Sequence, residues 1–335
     1  MKQNKPIKSQ FKTAIFATLI LTTSIISCNK DNTDVLPTIM QFAVGLQDLS
    51  QFEASVIKSD KVIALSNKNT APSSNGDFTI FMPTNQAYEK IGLTNPQDLN
   101  VLQTPFLASV LQYHLSNGNT KDEALTSGST IPSLLGGTVI KRIIIRNNEK
   151  YINGSKIIVT NTKAENGTIH VIDRVLLASG TDIAHTATFF AEGKAFVKPE
   201  LSFLSEAIAY CDLANELSDK TESYTFFAPT DQAFKDLGKI LGVSINQPLD
   251  VRKIDKATLK QVLLNHVIDG TSRFTSELYP GNAQVLSGRN LILGEYNQGL
   301  LSVKGAGNNV AANMVIPDIQ TTNGVMHIID SVLLP

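Results

Sequence analysis

Histidine is the side chain that most readily moves a proton near neutral pH, and this sequence has five. Four stand in matched pairs. His114 in "VLQYHLSNG" answers His266 in "VLLNHVIDG", and His170 in "NGTIHVIDRVLL" answers His327 in "NGVMHIIDSVLL". A zinc site takes three or four ligands, and the chain offers neither a cysteine pair nor a His-Glu-x-x-His run, so no metal and no cofactor is expected. The four histidines are read as structural groups that bond backbone atoms at the ends of elements. Nucleophilic chemistry fares no better: there is no Gly-x-Ser-x-Gly elbow and no nameable pair of catalytic carboxylates. Cys211 follows Phe203 and Ala207 at helical spacing and reads as a small buried hydrophobe. The glycines of "LLGGT" and "KGAGNN" lack the Lys-Ser/Thr ending of a phosphate loop and are turn or bulge residues. Asn153-Gly-Ser and Asn166-Gly-Thr have the form of glycosylation sequons.

The first residues carry a different signal, under which those sequons have little force. Lys2, Lys5, Lys8 and Lys12 precede an apolar run from Ala14 to Ile26, too short for a comfortable membrane span, so residues 1–27 read as an export signal. The run ends in Ile25-Ile26-Ser27-Cys28, which resembles a bacterial lipobox and makes Cys28 the expected site of lipid attachment, with residues 28–35 as a tether. With Cys28 lipidated, Cys211 has no disulfide partner. Removal of residues 1–27 takes four lysines and no acid, so the formal charge falls from −1 to −5. A mildly acidic chain lacks the broad positive surface that nucleic-acid binding requires. The short basic cluster Lys141, Arg142, Arg146, interrupted by Ile143 to Ile145, is read as a solvated strand face.

The elements that carry the histidines are written twice. "FTIFMPTNQAYEKI" at 78–91 returns as "YTFFAPTDQAFKDL" at 224–237, and with the two histidine motifs it forms three ordered landmarks offset by 146, 152 and 157 residues. Two homologous domains follow, at 36–179 and 183–335, each of ordinary domain size and too long to be a solenoid repeat. Each copy has amphipathic helical stretches first (Leu46 to Ile63; Leu201 to Leu217), then a strand stopped by Pro83 or Pro229. A helix follows, capped from Thr84-Asn85 or Thr230-Asp231. Apolar, branched strands come later, separated by turns at Asn147-Asn148, Asn153-Gly154 and Asn297-Gln298-Gly299, and "HVIDRVLL" or "HIIDSVLL" closes the copy as a strand. Helices first and sheet later give an α+β class.

The strand-corner block, the central Tyr-His or Asn-His pair and the closing "NGVMHIIDSVLLP" resemble the fasciclin (FAS1) domain family in both copies, over nearly the whole mature chain. The resemblance implies, for each copy, a wedge of β-strands packed with several helices. It also implies a secreted or surface-anchored protein concerned with adhesion to cells, matrix or polysaccharide. In receptor-binding relatives a Tyr-His region and an Asp-Ile pair before the last strand are implicated in contact. Carried over by position, these are Tyr113 and His114 in the first copy, with Asn265 and His266 in their place in the second, and Asp318 and Ile319 in the second, with Asn161-Thr162 in their place in the first. Neither copy has both features, which weakens an animal-receptor role.

The function expected is therefore a non-enzymatic, exported and lipid-anchored binding protein of the bacterial outer membrane. Its partner is another surface protein or a polysaccharide, with binding concentrated in the distal second copy. An accessory glycan-binding lipoprotein of a nutrient-uptake system is the alternative, and an enzyme or metal-binding protein comes third.

Overall fold

Thr84 and Thr230 start a helix in the same way. Each has extended backbone, and each hydroxyl accepts from the amide three residues on, Ala87 at 3.3 Å and Ala233 at 3.1 Å. That satisfies one of the amides which every helix start leaves bare. The helices bury Ala87 and Tyr88, or Ala233 and Phe234, behind strands that are buried along their whole length. The prolines, expected to stop these strands, are their last residues. Thr84 N–H still donates to the Ile172 carbonyl and Thr230 N–H to that of Ile329, so the missing proline N–H falls on the side where the ladder needs none.

The computed structural model describes residues 35–137, 139–195 and 200–335; the export signal and Cys28 lie outside the described residues. From Pro37 to Pro335 the chain is one compact unit. In the first repeat, helices α1 (Ile39–Val44), α2 (Ser50–Lys58), α3 (Val62–Ser66), α4 (Asn85–Glu89) and α5 (Thr104–His114) pack on a sheet. Its strands are β1 (Phe78–Pro83), β2 (Leu115–Asn117), β3 (Thr130–Pro132), β4 (Ile140–Arg146), β5 (Glu149–Ile152), β6 (Ser155–Ala164) and β7 (Gly167–Ile172). A short strand, β8 (Leu177–Ala178), follows. The second repeat has helices α6 (Ile183–Ala191), α7 (Ser202–Tyr210), α8 (Ala214–Leu217), α9 (Asp231–Leu241) and α10 (Lys256–Leu264). Its strands are β9 (Tyr224–Pro229), β10 (Val267–Ile268), β11 (Gly281–Gln284), β12 (Asn290–Leu293), β13 (Ser302–Lys304), β14 (Ala312–Gln320) and β15 (Gly324–Ile329). The α+β class is borne out, since most helices precede most strands in each repeat.

The two sheets run β2-β1-β7-β6-β5-β4-β3 and β10-β9-β15-β14-β13-β12-β11. In both, the strand of the corner block lies parallel to the closing strand, Phe78 to Pro83 beside Gly167 to Ile172 and Tyr224 to Pro229 beside Gly324 to Ile329. The remaining pairs along each sheet are antiparallel. Gly167 and Gly324 sit where these strands touch: a Cβ at either would lie about 2 Å from the carbonyl oxygen of Phe78 or Tyr224.

The closing strands end sooner than expected. β7 stops at Ile172, the chain turns at Asp173 and Arg174, and Leu177–Ala178 then pair in parallel with Ile319 and Gln320 of the second repeat. Ser179 N–H continues the contact by donating to Gln320 O. The end of one repeat is thus an added strand of the next repeat's sheet. One apolar cluster runs through the helical layers of both repeats, from Ile39 and Phe52 to Phe234 and Leu263, while the β-sheet ends have separate clusters.

The solvated basic face expected at Lys141, Arg142 and Arg146 is overturned. Alternation along β4 sends Lys141 and Ile143 into the first repeat's core, and Arg142, Ile144 and Arg146 toward the second repeat. Lys141 is fully buried, with Nζ donating to Tyr113 O, Leu115 O and Ser116 Oγ. It closes the carbonyl end of α5, where a cation is favoured, but no carboxylate among the described residues pairs with it, and burial pulls its pKa well below the ordinary lysine value. No helix among the described residues is long and apolar enough to cross a membrane.

Candidate functional site

The two central histidines have the same surroundings. His114 Nδ1 lies 2.7 Å from Val110 O and its Nε2 accepts from Leu176 N–H at 3.0 Å; His266 Nδ1 lies 2.7 Å from Val262 O and its Nε2 accepts from Leu333 N–H at 2.8 Å. One nitrogen facing a carbonyl and the other an amide fixes a neutral ring with the proton on Nδ1. Burial pushes both pKa values down to about 4. Each ring ties the end of a helix to the backbone after the closing strand. His170 and His327 do the same elsewhere: each Nε2 donates to a carbonyl, Thr120 O at 2.9 Å and Arg273 O at 3.0 Å, and burial lowers both pKa values. The reading of these four as structural groups matches their geometry. Among the described residues no group of three or more His, Cys, Asp or Glu is arranged to hold a metal ion. Cys211 is buried at the end of α7, where desolvation raises its pKa to about 11, so the thiol stays protonated.

The residues carried over as contact candidates also face inward. Tyr113 is wholly buried, its hydroxyl accepting from Asn153 Nδ2 at 2.7 Å and donating to Ile140 O at 3.3 Å. Asn265, equally buried, donates to Leu333 O and accepts from Ser287 Oγ. Ile319 is buried in β14 opposite Leu177 of β8. Asp318 has left-handed backbone (φ 65°) at a register shift between β14 and β15, and its carboxylate accepts from Thr275 N–H and Thr275 Oγ1, both at 2.7 Å. Its first-repeat counterpart, Asn161 (φ 60°), accepts from Asp122 N–H at 2.8 Å. Both residues brace a 3-10 turn, Thr275–Glu277 or Asp122–Ala124. The structure thus gives Asp318 a neighbour inside the molecule: a Cβ on Gly154 of the first repeat would come within 1.8 Å of its Oδ2, so only glycine fits there.

What the sequence reading missed is the seam that these contacts belong to. Arg142 donates to Ser272 O and to Glu277 Oε2 at 2.6 Å and lies over the Phe274 ring. Arg146 donates to the carbonyls of Thr275, Ser276 and Leu278, with its guanidinium 4.5 Å and 4.0 Å from the ring centres of Tyr279 and Tyr296. Arg174 donates to Gln298 O at 2.6 Å, and Ser276 Oγ returns a bond to Asn153 O. Ile144 and Tyr151 of the first repeat meet Phe274, Tyr296 and Val325 of the second in a small apolar cluster. At the helical end, Phe106 of α5 packs on Phe189 and Phe190 of α6. The signal available in the sequence was asymmetry, since "HVIDRVLL" carries Arg174 where "HIIDSVLL" carries Ser331.

The profile of the fasciclin domain matches residues 47–178 and again 199–335. The chain belongs to the fasciclin domain family. Human periostin is 29% identical over 266 residues, an alignment covering 78% of this chain and 28% of periostin. Pig transforming growth factor-beta-induced protein ig-h3 is 25% identical over 260 residues, covering 78% of this chain and 35% of that protein. The chain therefore spans about a third or less of these relatives. A solved FAS1 domain pair from the insect cell adhesion molecule fasciclin I overlaps 86% of this chain and 97% of its own, at 16% identity and a TM-score of 0.40. In fasciclin terms the seam joins two FAS1 domains, and their shared motifs supply the ties that hold each domain closed.

Proposed function

We propose that this fasciclin-family chain is an exported, lipid-anchored adhesion protein without catalytic activity, which binds another surface protein or a polysaccharide with its outer surface. The observation that carries the non-enzymatic reading is the use of the motif side chains: all four matched histidines bond backbone groups, and Tyr113, Asn265 and Asp318 are engaged inside the molecule. The adhesive role implied by the family fits a protein that spends its motif residues on holding a shape. Anchoring rests on the lipobox ending in Cys28. A lipidated cysteine carries several acyl chains, and two or more suffice for stable attachment. Because the two domains share a strand and the contacts of three arginines, Arg146 and Arg174 buried and Arg142 half-buried, the joined pair, rather than either domain alone, is the binding unit.

The test is fractionation of cells expressing the full chain, followed by protease shaving and cross-linking. The wild type is expected in the membrane fraction, cross-linked to a surface protein or glycan, with Cys28→Ser released or unprocessed. Retention of a processed Cys28→Ser chain in the membrane would overturn the anchor. A purified chain that hydrolyses a substrate at a rate abolished by a point substitution would overturn the non-enzymatic reading.

A further inference from the structure

From Pro37 to the end of the first domain, three large apolar side chains among the described residues are more than half exposed: Val44 (56%), Ile57 (57%) and Ile63 (77%). The other exposed apolar residues of that stretch, Val101, Ile140, Ile145 and Ile158, are each at 43% or below. The three are close in the fold. They lie on α1, α2 and α3, and α1 packs on both of the others. Ile57 and Ile63 flank the tight turn between α2 and α3, which is closed by Asp60 N–H on Ile57 O and Lys61 N–H on Val56 O. A single exposed apolar residue needs no explanation, but three around one helical corner make a patch.

The chain enters the domain beside this corner. Pro37 O accepts from Glu165 N–H, and Ile39 N–H donates to Asn166 Oδ1. Asn166 Nδ2 in turn donates to Leu65 O and Asn67 O, so one side chain pins the point of entry to the end of the helix that exposes Ile63. The nine peptide steps from Cys28 to Pro37 reach at most about 32 Å, less than the width of roughly 35–40 Å expected of a compact domain of this length. We infer that the corner of α1, α2 and α3 lies on the lipid surface that holds the anchor, with Val44, Ile57 and Ile63 inserted where headgroups meet acyl chains. The inference rests on the anchor at Cys28 and adds the face that the membrane covers. Asp60, exposed at the tip of the turn, limits the depth, because its carboxylate stays among the headgroups. The lipid supplies attachment, and the patch supplies orientation.

The protein has no tryptophan, so a single introduced indole reports alone. The mature chain, residues 28–335, carrying Ile63→Trp is coupled through its Cys28 thiol to a maleimide lipid in phosphatidylcholine vesicles whose acyl chains are brominated near the headgroup. Cys211 is buried with its thiol protonated and does not compete. The emission is expected to shift to the blue and to fall about twofold against unbrominated vesicles. Val310→Trp, at an equally exposed site (77%) between β13 and β14 of the second domain, should keep its emission. Adding Ile57→Glu to Ile63→Trp should abolish the quenching, since a carboxylate is driven out of the boundary. No quenching of Ile63→Trp, or equal quenching of Val310→Trp, would overturn the face. A blue shift that appears without vesicles and grows with protein concentration would assign the patch to a second copy and overturn the lipid. The coupling supplies the anchor chemically, so these outcomes judge the face alone, whereas membrane retention of processed Cys28→Ser in cells judges the anchor.

Discussion

The two fasciclin domains agree in what holds each one closed and differ in what joins them. Strand register places Leu291 and Ile292 of β12 opposite Ala283 and Asn282, just as it places Lys141 and Arg142 of β4 opposite Ile131 and Thr130. The second domain thus has two apolar side chains where the first has a buried amine and a seam arginine. The acceptor side shows the converse. Phe274, Thr275 and Ser276 are buried beneath the first domain, whereas the matching turn of the first domain has Lys121 and Glu123 exposed and Asp122 half-buried with Lys150. Duplication supplied two copies of one fold, and divergence on one face of each made a joint.

The largest effect should come from breaking the joint. Arg146→Ala strips three carbonyls and two aromatic rings of a buried guanidinium and should cost about 3–5 kcal/mol, the range for removing one partner of a buried charged network. Calorimetry should show the second domain's melting separating from the first. Gly154→Val should act in the same direction, since its Cβ would overlap the Asp318 carboxylate.

The next effect concerns features that the two domains share, so it should be symmetric. His114 and His266 have folded pKa values of about 4 against 6.5 in the unfolded chain. Above pH 6.5 neither state takes up a proton at these rings. As the pH falls from 6.5 toward 4 only the unfolded state does, so stability drops by about 1.4 kcal/mol per pH unit for each histidine and levels off below 4. Denaturant titrations across that window should show the loss, and His114→Ala and His266→Ala should each cost about 1–3 kcal/mol at pH 7 from the amide and carbonyl left without a partner.

A smaller effect sharpens the contrast at one matched position. Asp318→Ala removes two buried charge-assisted bonds at the seam, whereas Asn161→Ala removes one bond to an exposed turn. Both place a Cβ-bearing residue in left-handed backbone, so that cost cancels in the comparison. Asp318→Ala should be the more damaging by about 1–2 kcal/mol in chemical denaturation.

The corner blocks were legible because their signals are local: Thr84 and Thr230 cap helices from within four residues, and the alternation of apolar residues survives wherever it is read. The turns at Asn147-Asn148, Asn153 and Gln298 have left-handed backbone, which their residue types foreshadow in part. Arg142 and Arg146 were not legible, because an arginine on an alternating strand has the same pattern whether it meets water or a second domain; Arg174, in the turn after β7, showed only as a difference from Ser331. Asp318 misled for the same reason. Its place before the last strand was visible, but the neighbouring Gly154, more than a hundred residues earlier, was not. β8 was hidden because Leu177–Ala178 pair with a different sheet from the strand that precedes them in sequence.

The central claim is that the seam makes the two fasciclin domains one cooperative body, and the most direct measurement is amide hydrogen exchange on the mature chain, resolved by residue. If the claim holds, the slowest amides of β1 and β7 and those of β9 and β15 exchange with one common opening free energy, and Arg146→Ala splits them into two values. Two distinct values in the unaltered chain, unchanged by Arg146→Ala, would contradict it.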